Sequence, residues 1–151
     1  ANGLRSGTEN VAALVGFGAA AQEIASPRTE IANVKIRQLR DLIIRHLTSR
    51  VPDVAVNGSL QERVPSNANF RVKGVEGRDL VVALDQKGIA VATGSACAER
   101  SQEPSHVLRA LGLSPQEALS AVRITIGKQT TKEEGEKLLK EFPAAVAKLR
   151  A

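Results

Sequence analysis

Tyrosine, tryptophan and methionine are absent from these 151 residues, and cysteine occurs once, at position 97. Three phenylalanines make up the whole aromatic complement. Proteins that read single-stranded nucleic acid stack bases on aromatic faces, so so few rings argue against that class. A solitary thiol forms no internal disulfide and no zinc site built on paired thiolates. It suits a reducing compartment, and the expected location is the cytoplasm. The two histidines, His46 and His106, stand alone and offer no metal-ligand spacing. The longest apolar run, VAALVGFGAAA, contains two glycines and falls well short of the ~20 apolar residues of a membrane helix. Nothing at the start has the composition of a signal peptide. With no methionine and an abrupt opening on ANGLRSGTEN, the chain is expected to be a piece of a longer protein.

What is present is ordinary for one globular domain: 42% hydrophobic and 25% charged residues. The core must be built from Ala, Val, Leu and Ile. The net charge of +5 is scattered and interleaved with acids, as in KQTTKEEGEKLLKE. That pattern reads as a solvated surface rather than a nucleic-acid footprint.

Ser6-Gly7-Thr8-Glu9 has the spacing of a capping box and predicts a helix from Glu9 to Ile24. Ser26-Pro27 starts a second helix, with apolar Ile31, Val34, Leu39, Leu42, Ile43 and Leu47, which Pro52 ends. Short strands are predicted at Val54–Val56, Asn67–Val72, Ile89–Ala92 and Ala121–Ile126. Helices are predicted at 76–86, 104–111, after Ser114-Pro115, and from Thr131 to about Leu149. Irregular mixing of the two element types predicts an α+β domain, with a small, mainly antiparallel sheet packed against helices. Gly16-Phe17-Gly18 imitates a dinucleotide fingerprint, but it falls inside a predicted helix, where glycine permits close packing instead. Gly127-Lys128 has neither the upstream glycine nor the following Ser or Thr of a phosphate loop.

Three segments carry chemistry. In RSGTEN, residues 5–10, a threonine hydroxyl beside helix-start N–H groups is either a cap or a phosphate contact. Cys97, set among Gly94, Ser95, Ala96 and Ala98, is either inert or a thiolate with room to act as a nucleophile. Arg123, on the polar face of AVRITIG, is either solvated or a bidentate clamp for a carboxylate.

Taken together, RSGTEN, GSAC, EPSHVLRALGLS and VRITIGKQTTKEE resemble the C-terminal part of a cysteine desulfurase of the class V aminotransferase fold. The likeness runs in register over nearly the whole chain, and the long cysteine loop is similar to the subgroup serving iron–sulfur cluster assembly. The resemblance implies pyridoxal phosphate as cofactor, with its Schiff-base lysine outside this chain. It implies that Cys97 takes sulfur from L-cysteine as a persulfide, releases L-alanine, and passes the sulfur to an acceptor or scaffold protein. Arg123 matches the residue that holds the substrate carboxylate. Thr8 matches a cofactor-phosphate contact made across a homodimer interface, with Arg5, Ser6 and Gly7 shaping that loop. Residues 1–27 are then a connection to an N-terminal cofactor domain, and residues 28–151 are the small C-terminal domain. After Cys97, Ala98-Glu99-Arg100 departs from the small and hydroxyl residues usual in the family. Rival readings are a selenocysteine lyase of the same fold and a non-enzymatic sulfur carrier or partner-binding module.

Overall fold

Strict alternation in β2 (Asn67–Val72) organises the domain. Ala68, Phe70 and Val72 are buried, while Asn67, Asn69 and Arg71 lie half-exposed on the other face. The computed structural model describes residues 6–94 and 103–151. β1 (Val54–Val56) pairs antiparallel with one edge of β2, Val54 opposite Val72 and Val56 opposite Phe70. β3 (Ala121–Thr125) pairs antiparallel with the other edge, placing Asn69 opposite Arg123 and Phe70 opposite Val122. The sheet order is therefore β1-β2-β3.

Three helices close the apolar face: α2 (Pro27–Arg50), α3 (Gly77–Asp85) and α6 (Lys132–Arg150). Ile43, Leu47, Leu80, Leu84 and Val146 meet Phe70, Val72 and Val122 in one core. The Phe70 and Phe142 rings lie 6.3 Å apart and tilted by 57°, an arrangement worth about 0.5–1.5 kcal/mol beyond area burial. α4 (His106–Ala110) and α5 (Pro115–Leu119) cover one end of the opposite face, where Leu108, Leu113 and Ala118 bury Ala121. The α+β expectation holds.

The local expectations hold in part. Thr131 and Glu134 form a reciprocal capping box at the start of α6, which continues through Pro143 because Phe142 and Val146 are anchored in the core. The box expected at Ser6 and Glu9 does not start the first helix. α1 (Val11–Ile24) starts two residues later than expected, with Asn10 Oδ1 accepting from the Ala13 N–H at 3.1 Å. Gly7, at φ +92°, turns the chain out of helical geometry, so Thr8 sits in the loop ahead of the helix. The strand expected at Ile89–Ala92 is reduced to a single bridge between Ala92 and Arg123. Ile89 instead gives its N–H to the Leu84 carbonyl in the C-cap of α3. Pro104 falls ahead of α4, whose N-cap is Ser105. No residue from 6 to 25 is buried, and a Cβ at Gly16 or Gly18 would meet nothing within 4 Å, so the close packing expected of these glycines is not made among the described residues.

Gly77 locks α3 to the sheet. A Cβ there would lie 2.9 Å from the Leu119 carbonyl oxygen and closer still to that of Ala121. Both contacts are backbone and cannot swing aside. Gly77→Ala is expected to destabilise the intact protein by about 1–3 kcal/mol, read as a lowered denaturant midpoint at unchanged slope.

Candidate functional site

The polar face of the sheet faces a cleft of about 380 Å³. Its floor includes Asn57, Asn67, Asn69 and Arg123; its walls include Thr93, Gly94, Glu103, Ser105, His106, Val107 and Leu111. Arg123 is at the centre of this face because strand periodicity sends Val122 and Ile124 into the core and the residue between them outward. Asn69 lies opposite it on one side. On the other, Ala92 exchanges backbone hydrogen bonds with it. The partly buried Arg123 guanidinium makes no hydrogen bond or ion pair with the described residues. A cation in a concave surface that forms no ion pair with the described residues suits an anionic ligand, and the planar guanidinium fork favours a carboxylate.

Cys97 lies outside the described residues. The two chain ends that frame it are described, and both line the cleft: Thr93-Gly94 on one side and Glu103–Ser105 on the other. Ala92 is pinned to Arg123, and the Ser105 hydroxyl accepts from the Leu108 N–H at 3.5 Å. Cys97 stands five positions after Ala92, which limits the distance between their Cα atoms to about 18 Å. Thr8, by contrast, is exposed in the loop before α1 and is not among the residues lining this cleft. Arg5 lies outside the described residues. His106 lines the cleft as an exposed residue at the start of α4.

A polar network beneath the cleft was not singled out in the sequence. Arg71 donates to Asn57 Oδ1 at 2.9 Å, and Asn57 Nδ2 donates to Asn69 Oδ1 at 2.6 Å. Arg63 secures the same turn by donating to the carbonyls of Asn57, at 2.9 Å, and Ser59, at 2.6 Å. Burial lowers the Arg63 guanidinium from its ordinary value; Arg40 adds to the fall and Asp41 opposes it. The signal was available: the alternation that buries Ala68, Phe70 and Val72 puts Asn69 and Arg71 on the opposite face. The pairing of Asn69 with Arg123 required the register.

The Ser114 backbone N–H, followed by its side chain, holds the exposed Glu117 carboxyl below the usual carboxylate value; desolvation opposes this and Arg71 assists. A depressed folded-state value means that this cap stabilises above the unfolded pKa and is lost as pH falls through the folded one. Glu117→Gln is therefore expected to flatten the decline in melting temperature below about pH 4.3, the ordinary Glu value, and to change little at neutral pH.

The class V aminotransferase family model matches residues 1–138. The chain belongs to this family. Its aminotransferase relatives include the cysteine desulfurase IscS 1 of Archaeoglobus fulgidus, 42% identical over 149 residues, a match covering 99% of this chain and 38% of that one. The cysteine desulfurase IscS of Methylobacillus flagellatus is 44% identical over 148 residues, covering 98% and 36% respectively. Among solved structures, a NifS-like protein superposes with a TM-score of 0.76 at 29% identity, covering 96% of this chain and 36% of that one. The NifS-like protein from Rickettsia africae gives 0.77 at 25% identity, covering 95% and 37%. The chain thus spans little more than a third of the relatives it matches. Class V aminotransferases depend on pyridoxal phosphate.

Proposed function

We propose that this chain is the part of a cysteine desulfurase that grips the substrate carboxylate and presents the sulfur-accepting thiol. The observation carrying this reading is Arg123, a guanidinium with no partner among the described residues, in a cleft whose wall includes Thr93 and Gly94 at the start of the Cys97 segment. One group fixes the amino acid, and the other is tethered within reach of it.

The described residues suit one end of the cofactor. Gly7 in a left-handed conformation presents the Thr8 segment just before the N-terminus of α1, where a phosphate is favoured by the helix dipole. When bound, pyridoxal phosphate supplies the electron sink that makes the substrate's carbon–sulfur bond labile.

The rest follows from the chain's own groups. Arg123 orients L-cysteine by its carboxylate. The Cys97 thiolate attacks the substrate sulfur, the sulfur–sulfur bond forms, and the carbon–sulfur bond breaks with its electron pair left on carbon. Protonation of that carbon yields L-alanine. Overall, a thiol and L-cysteine give a persulfide and L-alanine, with no external oxidant. The persulfide then moves to an acceptor or scaffold protein.

Residues 1–27 connect this domain to the cofactor domain, and the intact enzyme is a homodimer working in the cytoplasm. Supporting this, Val11, Leu14, Val15, Ile24 and Phe17, the last 75% exposed, present apolar surface that none of the described residues covers. The test is turnover by the intact protein: stoichiometric L-alanine and persulfide from L-cysteine are expected. Turnover of L-selenocysteine alone would favour the lyase reading, and turnover of neither would overturn the enzymatic one.

A further inference from the structure

We propose that Asn69 is a second donor to the substrate carboxylate, aimed by a hydrogen-bond relay that begins at Arg71; this rests on the reading of Arg123 above. The relay has a fixed direction. Arginine only donates, so the Asn57 atom it meets, at 2.9 Å, is the carbonyl oxygen Oδ1. That turns the Asn57 Nδ2 group toward Asn69, which must accept there and does so through Oδ1 at 2.6 Å. Both ends of the Asn69 amide are thereby assigned. Its Nδ2 makes no hydrogen bond with the described residues, and the residue lines the cleft directly opposite Arg123 in the β2–β3 register.

The relay is built to hold. Asn57 is 5% exposed, its backbone N–H donates to the Asn69 carbonyl at 2.8 Å, and its own carbonyl accepts from Arg63. An unanchored surface asparagine flips its amide freely and presents donor and acceptor about equally. Here an acceptor turned toward the cleft would repel a carboxylate, and the Arg71–Asn57 relay excludes that state. Arg123 and Asn69 then form a two-residue cradle in which a cation neutralises the carboxylate and a neutral N–H group adds orientation.

The experiment uses the intact enzyme with L-cysteine and separates KM from kcat. Asn69→Ala is expected to raise KM about 10- to 100-fold, the effect of losing one hydrogen bond to a charged group, with kcat little changed. Asn69→Ser, which retains a short donor, is expected to fall between wild type and Asn69→Ala. Asn69→Asp is expected to be worse than either, because its carboxylate would pair with Arg123 and repel the substrate. Asn57→Ala, which frees the Asn69 amide to flip, is expected to raise KM by a smaller factor. In the Asn69→Ala, Arg123→Ala double variant the two effects are expected to be non-additive, as for groups sharing one ligand.

An unchanged KM in folded Asn69→Ala would overturn the assignment, as would equal losses in kcat and melting temperature across all the Asn69 variants. Should Asn69→Ala fail to fold, the ordering of Asn69→Ser and Asn69→Asp decides the same question. A wild-type enzyme inactive on L-cysteine would instead overturn the parent reading, and this assignment with it.

Discussion

Serine in place of Cys97 is expected to abolish sulfur transfer, lowering L-alanine release from L-cysteine by about three orders of magnitude or more, the scale of loss when a covalent nucleophile is removed. The hydroxyl is nearly isosteric but remains protonated at neutral pH, and oxygen does not replace the thiolate as an acceptor of divalent sulfur. Cys97→Ala is expected to be equally inactive, which separates nucleophilicity from polarity. Binding should survive, because the carboxylate grip is proposed for Arg123 on β3, a strand held by Val122 and Ile124 in the core. The check is L-cysteine affinity by calorimetry alongside alanine release, with affinity expected to stay within about threefold, well under one kcal/mol. Parallel loss of affinity and turnover would make the residue a binding or structural element instead.

Arg123→Ala is expected to act on the other side of that division. Removing one partner of a desolvated charge pair costs about 2–5 kcal/mol, so KM for L-cysteine should rise by about 30-fold to several thousand-fold. Arg123→Lys restores the charge but not the planar fork, and should recover only part of the loss. Folding should be nearly indifferent, since the guanidinium has no partner among the described residues and the strand is held by Val122 and Ile124 in the core. Steady-state kinetics with melting temperatures measure both. A large fall in melting temperature with unchanged KM would assign Arg123 to the sheet rather than to the substrate.

Much of this arrangement was legible from side-chain periodicity. Alternation in NANFRV and AVRIT assigned both faces of β2 and β3, and with them the outward position of Arg123. Thr131 and Glu134 marked the start of α6 because a capping box needs only residues within one turn. Ser6 and Glu9 have the same spacing and failed, since Gly7 adopts a left-handed conformation and Asn10 offers a competing cap. Ile89–Ala92 is apolar and strand-like, yet only Ala92 finds a partner, because the C-cap of α3 takes Ile89 first.

Long-range relations were the least visible. Ile31 and Val34 fit the helical spacing of α2 but remain exposed, and buried Arg40 takes a place on that helix which composition would have given to an apolar residue. Its guanidinium is satisfied by Asp41 and by the Val64 carbonyl at 3.0 Å, an acceptor 24 residues away. The Arg71–Asn57–Asn69 relay likewise depends on strand pairing, which no single stretch of sequence specifies.

The most direct measurement is a single turnover of the intact, pyridoxal-phosphate-loaded protein with L-cysteine, quenched by an alkylating reagent and mapped by peptide mass spectrometry. One extra sulfur atom is expected on the peptide containing Cys97, in equal amount to the L-alanine released. Alanine formed while that peptide gains no sulfur, or sulfur recovered on a different cysteine of the intact protein, would contradict the role given to this thiol.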